Sequence, residues 1–115
     1  MNEIELPWPN ARLSPNARVH WAARTAVSKR ARNDARWILR SSGLRIPAEC
    51  RLEIEFIRST RIRFDLDNAL ASLKWALDGL ARESGCDDAG WSFEVKKSVD
   101  RATPGKGVVK IRWAD

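Results

Sequence analysis

Arg63-Phe64-Asp65-Leu66-Asp67-Asn68, running on through Ala69 to Glu83, is the stretch on which the reading of this chain turns. An extended segment ends there and a helix begins, from about Asp67 to Glu83. Leu66, Leu70, Leu73, Leu77 and Leu80 recur at helical spacing and give it one apolar face, and Gly85 stops it. Two carboxylates one residue apart sit at the helix start, with arginines before them and the amide of Asn68 after. Asp67, Lys74 and Asp78 share one strip beside the leucines, because spacings of seven and four residues lie near whole helical turns. A further acid pair, Asp87-Asp88, follows the helix.

The flanking segments alternate like strands. Cys50 to Ile57 sends Leu52, Ile54 and Phe56 one way and Arg51, Glu53 and Glu55 the other, the pattern of a half-buried strand. Trp91 to Val99 alternates again, with Trp91, Phe93 and Val95 on one side. After the turn Thr103-Pro104-Gly105-Lys106-Gly107, Val108 to Trp113 forms a last strand facing Val109, Ile111 and Trp113 inward. Ile4 to Trp8 makes a short first strand stopped by Pro7 and Pro9. Pro9 to Val19 reads as loop. The order β-α-β-α-β-β predicts an α+β fold: two helices packed on a small, mostly antiparallel sheet, in a single domain over residues 1–115.

A helix from His20 to about Ser41, closed by Gly43 and Pro47, supplies the other α element. Val27, Ala31, Ala35 and Ile38 form its apolar face. Lys29, Arg32, Arg36 and Arg40 fall opposite, within one quarter of the circumference, with only Asp34 as a nearby acid. The reading is a phosphate-facing stripe, extended by Arg18 on the preceding loop and by Arg58, Arg61 and Arg63 in a basic loop after the second strand. Trp21 and Trp37 read as packing residues. The net charge of +6 points the same way, toward nucleic acid. Cys50 and Cys86 match no metal spacing or redox motif and read as reduced thiols. No apolar run approaches the roughly 20 residues that span a bilayer, and Met1-Asn2-Glu3-Ile4-Glu5 lacks a signal-peptide pattern. The expectation is a cytoplasmic protein without a membrane partner.

Clustered carboxylates in a basic chain suit a hard cation. Mg2+ takes oxygen ligands and keeps several waters, so one or two carboxylates are a sufficient protein share. Asp65 and Asp67 diverge if the strand continues and converge if the chain turns after Leu66. Either is equally suited to cap the helix, Asp87-Asp88 to make a turn, and Lys74 with Asp78 to form an i,i+4 ion pair. His20 stands far from the acids in sequence and reads as structural or phosphate-contacting. The residue chemistry reaches as far as a metal-dependent phosphodiesterase.

Asp65-Leu66-Asp67-Asn68, with Lys74, Asp78-Gly79-Leu80 and Asp87-Asp88, resembles the signature of the RusA family of Holliday-junction endodeoxyribonucleases, often carried by phages and prophages. Leu6-Pro7-Trp8-Pro9 resembles that family's first strand and Pro-rich loop. Ser14-Pro15-Asn16 with Arg18, His20 and Trp21 resembles the start of its first helix, and a hairpin with Gly105 and Gly107 its last turn. The resemblance implies a homodimer that binds a four-way DNA junction, with a role in recombination and repair, and nicks two opposed strands with Mg2+. It implies Asp65, Asp67 and Asp88 as metal ligands, with Asp87 the alternative to Asp88, and Lys74 at the scissile phosphate. Three departures stand out: Lys74 lies seven residues after Asp67 where many members have four, the linker from Gly85 to the acid pair is shorter than usual, which leaves Asp87 and Asp88 both open, and Phe64 stands where an arginine is common. The competing expectations are a basic DNA-binding protein without catalysis, or a metal-dependent nuclease for flaps, forks or RNA.

Overall fold

Three strands with an inward-facing buried set and a fourth that is mostly exposed form one sheet in a computed structural model that describes residues 1–58, 63–103 and 105–115. They are β1 (Asn2–Pro7), β2 (Cys50–Arg58), β3 (Trp91–Val99) and β4 (Val108–Trp113). Two helices, α1 (Trp21–Ser42) and α2 (Leu66–Ser84), complete the predicted α+β order. The sheet runs β1-β4-β2-β3. β4 is antiparallel to both β1 and β2, and β2 and β3 are parallel. A parallel pair needs a crossover, and α2 is that crossover. β3 and β4 are therefore not a hairpin: the turn before β4 carries the chain past β2.

The boundaries follow local chemistry. His20 caps α1 by accepting the Ala22 N–H on Nδ1 at 3.2 Å. Asp65 caps α2 with Oδ1, which accepts N–H from Asp67 at 2.8 Å and from Asn68 at 3.2 Å. Gly85, with φ at 73°, ends α2 in the left-handed conformation. Its N–H donates to Arg82 and that of Cys86 to Ala81, the double closure that glycine permits. β1 starts and stops earlier than the alternation predicts. Trp8 leaves the strand to meet Phe56 and Phe64 edge-on, with ring centroids 5.6 and 5.0 Å away.

One face of the sheet carries Ile4, Leu6, Leu52, Ile54, Phe56, Val109, Ile111 and Trp113, and both helices pack there on Ala35, Leu39, Leu73, Leu77 and Leu80. The other face is a ladder of charges. Arg112 on β4 meets Glu3 on β1 at 2.6 Å and Glu55 on β2 at 2.9 Å, and Lys96 on β3 meets Glu53 at 2.6 Å.

Two expectations about α1 need correction. Trp21 and Trp37 do not pack: they are 73% and 65% exposed. Trp37 falls on the opposite side of the helix from buried Ala35, and Trp21 is the first residue of α1, its ring 5.6 Å from that of His20. Nor do the arginines form a face clear of acids. Arg32 Nε meets Asp78 Oδ2 at 2.7 Å, and Arg36 and Arg40 both reach Glu83, at 3.3 and 2.9 Å. The balancing acids come from α2, so three of the four stripe residues line the seam between the helices. Among the described residues no helix is long and apolar enough to cross a membrane.

Candidate functional site

The N-terminus of α2 is where the chemistry-bearing residues are best presented. The cap uses Asp65 Oδ1, and the carboxylate is thereby oriented by two N–H groups. Oδ2 is left for other partners, on an exposed residue. Asp67, in the first turn, is exposed and has no ion pair among the described residues. The positive end of the helix dipole favours both charges. Asp65 also lines an open cleft of about 140 Å3 with Asn68 and Ser72 of α2, Trp8 to Ala11, Ser14, Phe64 and Arg58.

Arg58 forms the cationic wall of that cleft. It is the last residue of β2. Its guanidinium lies 4.5 Å from the Trp8 ring centroid and 5.6 Å from that of Phe64, and its Nε donates to the Lys106 carbonyl at 3.1 Å. Lys97 of β3 brings a second cation to the same aromatic group, 5.7 Å from the Phe64 centroid. Reading the sequence for acids and arginines missed Lys97. The available signal was its break in the apolar alternation Trp91, Phe93, Val95. Arg63 is exposed beside Phe64, while Arg61 lies outside the described residues. Arg18 and Lys29 are exposed and free of acidic partners within ion-pair distance among the described residues. Lys74 is exposed two turns along from Asp67, about 10 Å at ~1.5 Å per residue. Its Nζ lies 4.7 Å from the Trp75 ring centroid. It makes no ion pair with Asp78, which is held by Arg32 and, at 3.1 Å, by Arg82.

The second acid group stands at the far end of the same helix. Asp87 Oδ1 accepts the Ala89 N–H at 3.0 Å and caps a single 3-10 turn, Asp88–Gly90. Partial burial pushes the Asp88 carboxyl above the ordinary aspartate range, helped by a hydrogen bond to Asp87 and by the charges of Asp87 and Asp78. α2 has 19 residues, hence a length of about 28 Å at ~1.5 Å per residue. Within one chain, then, Asp65 and Asp67 are not brought together with Asp87 or Asp88. That corrects the expectation of a three-carboxylate site inside a single subunit. Among the described residues no three His, Cys, Asp or Glu side chains gather as a metal-holding group. Asp65 and Asp67 alone still fit the one or two carboxylates that a water-rich Mg2+ requires.

No protein-family model matches the chain. It is 46% identical over 93 residues to an uncharacterized protein of Xylella fastidiosa (strain Temecula1 / ATCC 700964), an alignment covering 76% of this chain. The alignment spans 61% of that relative, so the chain matches only part of the longer protein.

Proposed function

We propose that this chain is a subunit of a Mg2+-dependent, structure-selective endodeoxyribonuclease that resolves four-way DNA junctions by paired nicking. The observation that carries the reading is the presentation of Asp65-Leu66-Asp67-Asn68. Capping uses one Asp65 oxygen and leaves the other, with the whole Asp67 carboxylate, at an exposed helix start beside a cationic cleft. A bound Mg2+ would act as a Lewis acid on the phosphate and yield a nucleophile from water at neutral pH. Asp65 and Asp67 would hold that cation. Arg58 and Arg63 neutralise phosphates flanking the scissile one, and Lys74 offsets charge that builds on the phosphoryl oxygens. Lys29 and Arg18 extend the contact to neighbouring backbone, which positions a branched substrate by shape.

A homodimer fits this reading for a geometric reason. The two acid groups lie at opposite ends of α2, so within one copy Asp87-Asp88 adds no ligand to the pair at Asp65 and Asp67. In a two-fold contact, whatever one copy presents to its partner the partner presents in return. One contact that brings the Asp87-Asp88 turn to the partner's Asp65 therefore makes two equivalent sites, as paired nicking of opposed strands requires.

The test is Asp65→Asn, assayed on a synthetic four-way junction with flapped, forked and linear duplexes and an RNA junction alongside. Asparagine caps a helix as well as aspartate does, so the fold is kept while a ligand charge is removed. Junction binding is expected to persist and Mg2+-dependent nicking to vanish; nicking at the wild-type rate would overturn the assignment. The second reading, a basic DNA-binding protein without catalysis, draws on the capping and pairing duties of Asp65, Asp87 and Asp78. It expects no nicking by the wild type at any divalent-ion concentration.

A further inference from the structure

We propose that the outer edge of β3 is a self-association surface. Two copies of this chain pair their β3 strands antiparallel about a two-fold axis at Val95, joining two four-stranded sheets into one. This goes beyond the nuclease reading, which calls for a dimer but not for this surface.

β3 is an edge strand of nine residues. It is exposed along most of its length, and two large apolar side chains on its helix-facing side stand open, Phe93 at 40% and Val99 at 56%. Backbone parity restricts how such an edge can be extended. The Asp100 N–H donates to the Arg58 carbonyl at 2.9 Å, continuing the β2–β3 ladder. Even-numbered residues of β3 therefore turn their N–H and C=O groups toward β2, and Trp91, Phe93, Val95, Lys97 and Val99 turn theirs outward. An antiparallel partner must oppose outward residues with outward residues, so the axis passes through a residue rather than between two.

Charge then selects the register. With the axis at Val95, Glu94 opposes the partner's Lys96 and Lys96 opposes the partner's Glu94. Both are non-hydrogen-bonded pairs, where side chains approach most closely. Shifting the axis to residue 94 sets Glu94 against its own copy, and shifting it to residue 96 does the same to Lys96. The Val95 axis also sets Phe93 beside the aliphatic stem of the partner's Lys97 and Val99 beside the partner's Trp91, an aromatic–β-branched pair. Lysines on an edge deter indiscriminate pairing, and here they leave one complementary arrangement. β1, the opposite edge, lacks this property: its central registers set Glu3 and Glu5 against acid, and Pro7 has no N–H to donate.

The test is the dimer affinity of the intact chain by sedimentation equilibrium, with thermal melts to verify folding. Wild type is expected to dimerise. Glu94→Lys or Lys96→Glu replaces two attractive pairs per dimer with two repulsive ones and should weaken association about tenfold or more. The double swap Glu94→Lys with Lys96→Glu restores the cross-copy pairs and should recover the dimer; it also reverses the Arg51–Glu94 and Glu53–Lys96 pairs inside each sheet, a cost to folding that the thermal melts read separately. Glu5→Lys on β1 should leave it unchanged. A monomeric wild type, single reversals without effect, or a double swap that fails to recover would each overturn the proposal. Val95→Cys gives a second readout independent of charge. At the axis the two Cα atoms would lie ~5.5 Å apart, within disulfide range, so oxidation should yield a covalent dimer, and its absence counts against the surface. Cleavage is not measured here, so a failure of the Asp65→Asn assay leaves this result standing.

Discussion

The Asp65 carboxylate has two oxygens, and the helix uses one of them. Removing the side chain is therefore different from neutralising it. Asp65→Ala should cost about 1 kcal/mol of stability by urea titration, the usual value of a lost cap, while Asp65→Asn should cost little. Asp88 offers the opposite case, a carboxyl that burial, Asp87 and Asp78 hold above its ordinary range. Its ionised form is the disfavoured one. Asp88→Asn should stabilise the fold slightly at neutral pH. The sign follows from the raised folded-state pKa: the gain appears as pH rises through that value and disappears below it, once the wild-type carboxyl is protonated. Unfolding curves at several pH values measure it. A residue whose replacement helps stability is one the fold does not need. The sequence showed that acids cluster here, and that either of Asp65 and Asp67 could cap. It did not show which oxygen the cap consumes, because that depends on the backbone angle at which the strand enters the helix.

At the level of elements, the two helices are held at close quarters by a missing side chain. A Cβ on Gly79 would stand 2.3 Å from the Arg32 carbonyl oxygen, backbone that cannot swing aside. Gly79→Ala should therefore separate α1 from α2 and destabilise the protein by about 1–3 kcal/mol, measured as a lowered urea midpoint. The loss should be accompanied by weakening of the Arg32–Asp78 pair one position away. The apolar faces of both helices were legible from their periodicity, since burial at Ala35, Leu39, Leu73 and Leu77 needs only the helical repeat. The fate of the arginines was not legible. Their acids lie 46 residues away for Asp78 and 47 or 43 for Glu83, and no local pattern announces which helix will lie alongside. Gly79 itself stood in the sequence as part of a motif, with nothing to mark it as a point of contact.

Across the whole molecule, acid should be the condition that dismantles the sheet's open face. Ser98, then Arg112, holds the Glu55 carboxyl below its ordinary range; Lys96, then Arg112, does so for Glu53. Arg40 and Arg36 do the same for Glu83 between the helices. Lowered folded-state values mean that this stabilisation is complete above the ordinary glutamate pKa of 4.5 and is lost as pH falls through the folded ones. The melting temperature should be nearly flat from neutral pH down to about 5 and then fall. Arg112→Ala should lower the plateau and flatten the fall. Element types and their number were readable in the chain, but strand order was not, because alternation assigns a face to each residue and no neighbour to each strand. That order has its own consequence. β4, the fourth strand in sequence, occupies an interior place between β1 and β2. During synthesis, β1 and the β2–α2–β3 unit emerge with a gap between them that only Val108–Trp113 can fill. The polypeptide must hold its hydrophobic side closed without that keystone until it arrives, so chaperone dependence of the nascent chain should end abruptly once β4 has left the ribosome.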